Sequence, residues 1–123
     1  MEKSTNRQTG ITGETDAAAY LQEKGYQIVA KNWRTKIGEI DIIAYKDSTI
    51  VFVEVKTWPH GDYFSLPAAI NKRKQKRIIE TAKCFLSDYR QYKESYVRFD
   101  VIAIGMQQQE KIYHIENAFL ETL

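Results

Sequence analysis

The pattern of apolar and polar positions along the chain predicts seven elements in the order αβββαββ. A first helix is expected over residues 13–24, with Thr12 as its N-cap and Gly25 as its C-terminal stop. A long second helix is expected to begin at Pro67 and to end near Tyr92. The strands are expected at residues 26–34, 38–45, 50–56, 98–105 and 111–115. This order is typical of an α/β protein with a mixed sheet flanked by helices.

The second and third strands are predicted to form a hairpin. A two-residue loop and a four-residue loop both give the same register, in which opposed residues have numbers that sum to 95. One face of the hairpin is then wholly apolar: Ile40, Ile42, Ala44, Val51, Val53 and Val55. On the other face Asp41 lies directly opposite Glu54, with Lys56 two residues further along the strand. A slip of one residue would bury charge, so the pattern determines this register.

Two opposed carboxylates repel each other and destabilise a bare sheet, so a compensating positive charge is expected near Asp41 and Glu54. Mg²⁺ is one candidate, because it is held by one or two carboxylates together with water and phosphate oxygens. The other interpretation is a solvated sheet end in which Lys56 neutralises Glu39. For a hairpin taken alone, the solvated sheet end is the more common case.

The second helix is predicted to have a core side and a basic side. Its apolar stripe is Ile78, Ala82, Phe85, Leu86 and Tyr89. Lys72, Lys76 and Lys83 share another face by their spacing. This basic face is either a solvated surface or a phosphate-binding surface, and its place just after the Glu54 strand favours phosphate binding.

Composition adds limits to this picture. The chain has 123 residues of which 43% are hydrophobic, which suits one domain over residues 10–123 after a mobile segment at 1–9. Its single cysteine, Cys84, is expected to be a buried thiol. No apolar run approaches the length of a membrane span, so a cytoplasmic protein without membrane contact is expected. The net charge of +2 is too small to indicate nucleic-acid binding by itself.

Asp41 and Glu54-Val55-Lys56 form a D…ExK array that resembles the active-site signature of the PD-(D/E)XK nuclease superfamily. The chain also resembles the YraN family of small bacterial proteins, over about residues 10 to 119, in these motifs: Gly13-Glu14, Asn32-Trp33-Arg34, Gly38-Glu39-Ile40-Asp41, Val53-Glu54-Val55-Lys56-Thr57 and Arg98-Phe99-Asp100-Val101. It departs from these patterns at three positions: Ile40 replaces the signature proline, Trp58 an arginine and Ser65 a glycine. The resemblance implies a restriction endonuclease-like αβββαβ core with one additional C-terminal strand, similar to archaeal Holliday junction resolvases.

The resemblance also implies a function, which is metal-dependent hydrolysis of phosphodiester bonds in branched, flapped or single-stranded DNA, with RNA less favoured. Asp41 and Glu54 would hold Mg²⁺ or Mn²⁺ with the Val55 carbonyl and Glu14, and Lys56 would orient the attacking water. Taken alone, Glu14 in a first helical turn is more simply explained by the helix dipole.

Nucleic-acid contacts are expected from the second helix and the end of the first strand: Lys72, Gln75, Lys76, Lys83 and Arg34. In similar nucleases a Lys or Gln of this helix lies near the metal, and Lys72 or Gln75 matches that position. Aromatic side chains near the site could stack on bases: Trp33, Trp58 and Tyr63. A junction resolvase needs two sites related by a dyad, so a homodimer would suit this function.

Other residues are expected to have structural roles. Asp100 lies in a buried strand and is expected to pair with Arg98 or Arg34. His114 is expected to be structural, and His60 to be incidental in its loop. Two other classes of protein stay open, namely a nucleic-acid-binding module without turnover and an interaction protein whose acidic cluster is purely structural.

Overall fold

The computed structural model describes residues 6–57, 70–105 and 112–120. Its elements confirm the predicted order: α1 (Asn6–Glu23), β1 (Gln27–Arg34), β2 (Glu39–Lys46), β3 (Thr49–Thr57), α2 (Lys72–Asp88), β4 (Tyr96–Ile104) and β5 (Ile112–Ile115). Neither of the two helices in these ranges is long and apolar enough to cross a membrane.

The described strands form one mixed five-stranded sheet in the order β1-β2-β3-β4-β5. Neighbouring strands are antiparallel except β3 and β4, which are parallel. Parallel neighbours require a crossover connection, and α2 lies within it. The molecule is therefore a mixed α/β protein, as the sequence predicts.

Each face of the sheet buries an apolar cluster. The cluster that includes α1 residues consists of Ala17, Ala18, Leu21, Ile42, Ala44, Val51, Val53, Ile102 and Ile104. The cluster that includes α2 residues is centred on aromatic rings, with Phe52 packed edge-to-face on Phe85 at 5.9 Å between ring centroids. The two clusters fix α1 and α2 on opposite faces of the sheet.

The hairpin of β2 and β3 has the predicted register, from Lys46 opposite Thr49 to Ile42 opposite Val53. The structure also settles the loop length. Asp47 and Ser48 both have positive φ angles, 52° and 64°, as a two-residue type I′ turn requires. The two-residue loop is therefore the one that this chain adopts.

Ile40 departs from the predicted face. It was expected beside Ile42, but it packs with Ile43 in the cluster on the α2 side. The neighbouring strand β1 is irregular: its register with β2 shifts between Ile28 and Ala30, and Asn32 takes a left-handed φ of 54°. Trp33 contacts the α2-side cluster, and Ile40, its partner in the register, lies with it.

The helix starts also differ from the prediction. Helix α1 begins at Asn6 and includes residues 6–9, so Thr12 lies inside it and is not its N-cap. Glu14 is therefore in the third turn, where the helix dipole no longer explains its charge.

Helix α2 begins at Lys72, capped by Asn71, whose Oδ1 accepts a hydrogen bond from the Lys74 N–H at 2.9 Å. The expected start at Pro67 lies outside the described residues. The helix ends at Asp88, before Tyr92, because Tyr89 leaves the helical conformation, and a 3-10 turn follows at Arg90–Tyr92.

Candidate functional site

The strands β2 and β3 part at Asp41. Their register ends with Ile42 opposite Val53, one pair before the expected pair of Asp41 and Glu54. There the Oδ2 atom of Asp41 accepts a hydrogen bond from the Val55 backbone N–H at 2.8 Å. A side-chain bond thus replaces the backbone ladder and fixes the carboxylate where the sheet opens.

Glu54 is buried at the same position of the sheet and forms an ion pair with Lys74. The Lys74 Nζ atom lies 2.6 Å from Glu54 Oε2, and the two side chains are 40% and 8% exposed. Lys74 belongs to the first turn of α2, which the Asn71 cap holds in place. Lys74 of α2 therefore supplies the compensating positive charge that is expected from the sequence.

The pKa of Asp41 is raised by burial and by neighbouring carboxylates. Burial, and then the negative charge of Glu54, raise the pKa of Asp41 from its usual 3.8 to about 8. The Val55 N–H acts in the opposite direction, whereas the charges of Glu14 and Glu39 raise the pKa further. Asp41 is therefore largely protonated at neutral pH unless a cation binds nearby.

A cavity of about 410 Å³ opens beside these carboxylates. Its lining residues come from β2 with the preceding loop, from β3 and from α2: Gly38, Glu39, Asp41, Glu54, Lys74, Arg77 and Ile78. One wall is acidic and the helix wall is basic. The volume lies within the range of small-ligand sites, and this charge arrangement suits an anionic group together with a cation.

The edge of the cavity depends on a glycine. A Cβ atom at Gly38 would lie 3.0 Å from Thr81 Oγ1 and 3.3 Å from Arg77 Cγ, so the loop approaches α2 more closely than another residue would allow. Thr35 shapes this loop, because its Oγ1 accepts hydrogen bonds from the N–H groups of Ile37 and Gly38 at 3.0 and 3.3 Å. The loop thereby lies close to the aliphatic part of Arg77.

The other predicted residues of the metal and catalytic site do not line this cavity. Lys56 is half-buried, and strand alternation places it on the same face as Glu54. Glu14 is half-buried on α1, and its charge reaches Asp41. Val55 holds Asp41 through its N–H. The structure thus brings these residues to one end of β2 and β3.

The predicted nucleic-acid contacts are distributed differently. Lys72, Lys76 and Lys83 are exposed on α2, and Lys83 lies 3.7 Å from Glu80. Arg34 is exposed and pairs with the site residue Glu39 at 3.4 Å. These four residues are not among those that line the cavity.

Gln75 does not reach the acidic pair, because its side-chain amide donates a hydrogen bond to the Ile70 carbonyl at 2.9 Å. Of the basic residues on α2, the structure brings Lys74 and Arg77 into the cavity, rather than Lys72. This corrects the expectation that Lys72 or Gln75 would lie nearest to the site.

Trp33 has a packing role, with its ring edge-to-face on Phe85 at 5.3 Å and on Tyr89 at 6.5 Å. Its ring is therefore engaged within the protein rather than open for stacking on bases. Trp58, His60 and Tyr63 lie outside the described residues, as does Ser65.

Asp100 is fully buried and structural, as the sequence predicts. It accepts hydrogen bonds from Arg98 at 2.9 Å, from His114 at 2.7 Å and from the Asn117 N–H at 3.1 Å. Burial alone would raise the pKa of Asp100, but these hydrogen bonds hold it below its usual value. The other ring nitrogen of His114 meets the Tyr20 hydroxyl at 3.1 Å, which joins β5 to α1.

The donor set at Asp41 and Glu54 fits a cation that substrate and water would help to hold. Within residues 6–57, 70–105 and 112–120, no group of three or more His, Cys, Asp or Glu side chains forms a ready-made metal site. Mg²⁺, however, requires only one or two carboxylates when water and phosphate oxygens complete its shell. Asp41 and Glu54 supply these two carboxylates at one end of the sheet.

The fold and the cavity define a mixed α/β protein in which an acidic sheet end faces a basic helix. The chain belongs to the uncharacterised protein family UPF0102, whose profile matches residues 13–104. It is 48% identical over 118 residues to a UPF0102 protein of Treponema pallidum, covering 93% of this chain and 94% of that protein. It is 44% identical over 121 residues to one of Treponema denticola, covering 89% and 93%. It is 42% identical over 126 residues to one of Caldanaerobacter subterraneus, covering 97% and 100%.

Proposed function

We propose that this protein is a cytoplasmic, metal-dependent endonuclease that hydrolyses phosphodiester bonds in nucleic acid, with DNA favoured over RNA. One observation carries the proposal: Asp41 and Glu54 lie together where β2 and β3 part, in a cavity that Lys74 and Arg77 also line. The αβββαββ order and the mixed sheet support a restriction endonuclease-like core with one added strand. The D…ExK array supports placement in the PD-(D/E)XK superfamily and in the YraN family.

Each residue of the site has a role in the proposal. Asp41 and Glu54, with the Val55 carbonyl and Glu14, would hold Mg²⁺ or Mn²⁺. The cation, when bound, supplies Lewis-acid activation of water and of the scissile phosphate. Lys56 orients the attacking water and offsets the negative charge that develops on the phosphate.

The helix wall binds the substrate in this proposal. Lys74 and Arg77 present their cationic groups to the cavity and contact non-bridging phosphate oxygens. The exposed Lys72, Lys76 and Lys83 extend the positive surface along α2, and Arg34 extends it beside Glu39. Gln75 stabilises the start of α2, because its side-chain amide donates a hydrogen bond to the Ile70 carbonyl.

The substrate is expected to be branched, flapped or single-stranded DNA. A homodimer would place two such cavities around a dyad, as symmetric cleavage of a four-way junction requires. The mass of the protein in solution, measured with and without junction DNA, tests this part of the proposal independently of cleavage.

A cleavage panel tests the activity, with duplex, single-stranded, flap and four-way-junction DNA, and RNA, each with Mg²⁺, Mn²⁺ or EDTA. Asp41→Asn and Glu54→Gln should abolish the metal-dependent cleavage. Asp88→Asn and Glu94→Gln are matched controls, because these carboxylates are exposed beyond the site. Cleavage that survives in Asp41→Asn and Glu54→Gln would come from another site or a contaminant and would refute the assignment.

A second candidate function is nucleic-acid binding without turnover. The ion pair of Glu54 with Lys74 favours it, because the buried carboxylate is already neutralised when no cation is present. Salt-dependent DNA binding without metal-dependent cleavage on any substrate of the panel would identify this function. The absence of both would leave an interaction protein with a structural acidic cluster.

A further inference from the structure

In the ion pair between Lys74 and Glu54, the carboxylate is buried and confined, whereas the ammonium group can move. Glu54 is buried on β3, with a side chain 8% exposed. The Lys74 backbone is fixed by the Asn71 cap, but its side chain is 40% exposed and lines the cavity. A flexible four-carbon chain lets the ammonium group change partners while the helix stays in place.

A cation bound by Asp41 and Glu54 would compete with this ion pair. The Lys74 ammonium already lies 2.6 Å from Glu54 Oε2. Two positive groups on one carboxylate repel each other at such distances. A buried carboxylate without any positive partner is also strongly unfavourable, so one of the two must always be present.

We propose that Lys74 is an exchangeable counter-charge, which binds Glu54 in the cation-free protein and transfers to a phosphate oxygen of the substrate when the cation takes its place. This inference rests on the proposed function and adds a positioning role for Lys74. Because the phosphate receives the displaced ammonium, cation and nucleic acid favour each other's binding, and this coupling is reciprocal. Glu54 therefore keeps a positive partner in both states.

Arg77 shows why the role belongs to Lys74. Arg77 lines the same cavity, but it is an exposed residue. Lys74 is the basic residue of the cavity that contacts Glu54 among the described residues. Lys74 is thus the residue whose ion pair must break when a cation binds Glu54.

The first experiment measures Mn²⁺ affinity without nucleic acid, by calorimetry, for the wild type, Lys74→Gln, Arg73→Gln and Glu54→Gln. Lys74→Gln removes the competitor and should tighten Mn²⁺ binding about tenfold or more, since charge-assisted contacts of this kind have such an effect. Arg73→Gln removes the same charge from an exposed neighbour on α2 and should change the affinity by about twofold or less. Glu54→Gln should lose the binding.

The second experiment uses the unmodified protein. The acetylation rate of Lys74 by a water-soluble reagent is measured by mass spectrometry, with and without saturating Mn²⁺. Displacement from Glu54 should raise the rate at Lys74 severalfold, because the ammonium leaves a close ion pair with a buried carboxylate. The exposed Lys93 serves as the reference within the same molecule and should not change.

The outcomes separate this inference from the proposed function. If the wild type binds Mn²⁺ through Glu54 but Lys74→Gln binds no more tightly than Arg73→Gln, the exchange is refuted and the metal site stands. If the wild type binds no Mn²⁺, both the exchange and the proposed cofactor fall. If circular dichroism shows that Lys74→Gln does not fold, the acetylation rate decides, and an unchanged rate at Lys74 overturns the exchange.

Discussion

Asp41 is bound to the backbone of Val55 across the sheet, with its Oδ2 atom 2.8 Å from the Val55 nitrogen. This bond forms where the register of β2 and β3 ends, so the carboxylate closes the gap between parting strands. The same position crowds Asp41 with the charges of Glu54, Glu14 and Glu39. The Asp41 carboxylate therefore shapes this end of the sheet, and its negative charge is the one that a bound cation would stabilise most.

The first prediction concerns the cation-free protein. Because folding raises the pKa of Asp41 from 3.8 to about 8, the unfolded chain ionises first, and stability falls as the pH rises from about 4 to about 8. Asp41→Asn keeps an oxygen acceptor for the Val55 N–H and removes this loss. The variant should be more stable than the wild type by about 2 kcal/mol or more at pH 8, since each pKa unit corresponds to about 1.4 kcal/mol.

Urea unfolding in EDTA at pH 4 and pH 8 measures this effect. The difference should vanish at pH 4, where the side chain is largely neutral in the folded state. Asp88→Asn, at an exposed carboxylate, should show no such gain. A wild type as stable as Asp41→Asn at pH 8 would mean that Asp41 is already neutralised by another group.

The second prediction concerns the basic face of α2. Replacing Lys72, Lys76 and Lys83 with Gln should weaken DNA binding and lower the slope of log affinity against log salt by about 0.9 for each lost phosphate contact. The matched control replaces Lys31, Lys36 and Lys93, which are exposed elsewhere and carry the same total charge. If the two triple variants had equal salt slopes, the basic face of α2 would be a solvated surface that makes no phosphate contacts.

The third prediction concerns the cavity edge. Gly38→Ala would bring a methyl group 3.0 Å from Thr81 Oγ1, and Thr81 is fully buried with its hydroxyl bonded to the Arg77 carbonyl at 2.8 Å. Overpacking of this kind typically costs about 1–3 kcal/mol of stability. DNA affinity should fall as well, because Arg77 must move.

A double-mutant cycle tests the cause. Thr81→Ala removes the clashing oxygen, so Gly38→Ala should cost much less stability in the Thr81→Ala background than in the wild type. Thermal unfolding of the four proteins measures the coupling. Additive effects of the two substitutions would show that the loop has room for a side chain.

The hairpin was predictable because its information is local. Apolar and polar residues alternate along both strands, and only one register keeps all the charged residues on one face. The structure has that register, from Lys46 opposite Thr49 to Ile42 opposite Val53. The face of Ile40 was not predictable, because the hairpin pattern holds no information about the neighbouring strand β1, whose register shifts between Ile28 and Ala30 and whose Asn32 is left-handed. Sequence spacing carries no signal for that conformation beyond the tolerance of Asn for positive φ.

The residues on α2 that reach the site were missed for a different reason. The prediction was Lys72 or Gln75. Lys74, by contrast, lies one turn before the buried Ile78 and continues the core stripe. A basic residue one turn before the first buried residue of a helix lies on the same face as the core residues. Its side chain can therefore reach the end of the sheet that the helix covers. That spacing was present in the sequence and could have selected Lys74.

The last prediction separates chemistry from binding by the sign of the charges. Without a cation, the negative charge of Glu54 repels the phosphate, whereas Asp41 is largely protonated and adds little repulsion at neutral pH. Glu54→Gln also releases Lys74 from its ion pair. Asp41→Asn and Glu54→Gln should therefore preserve or tighten DNA binding in EDTA while they abolish cleavage in Mg²⁺ or Mn²⁺.

Lys56→Ala should have the opposite pattern, because it removes an attractive charge and a group that orients water. Both DNA binding and turnover should weaken, while Mn²⁺ affinity stays within about threefold of the wild type, since Lys56 is not proposed as a ligand. Fluorescence anisotropy in EDTA and single-turnover cleavage measure the two properties separately. If Asp41→Asn and Glu54→Gln weakened metal-free binding as much as Lys56→Ala does, the carboxylates would be holding the DNA-binding surface together, and their role would be structural rather than catalytic.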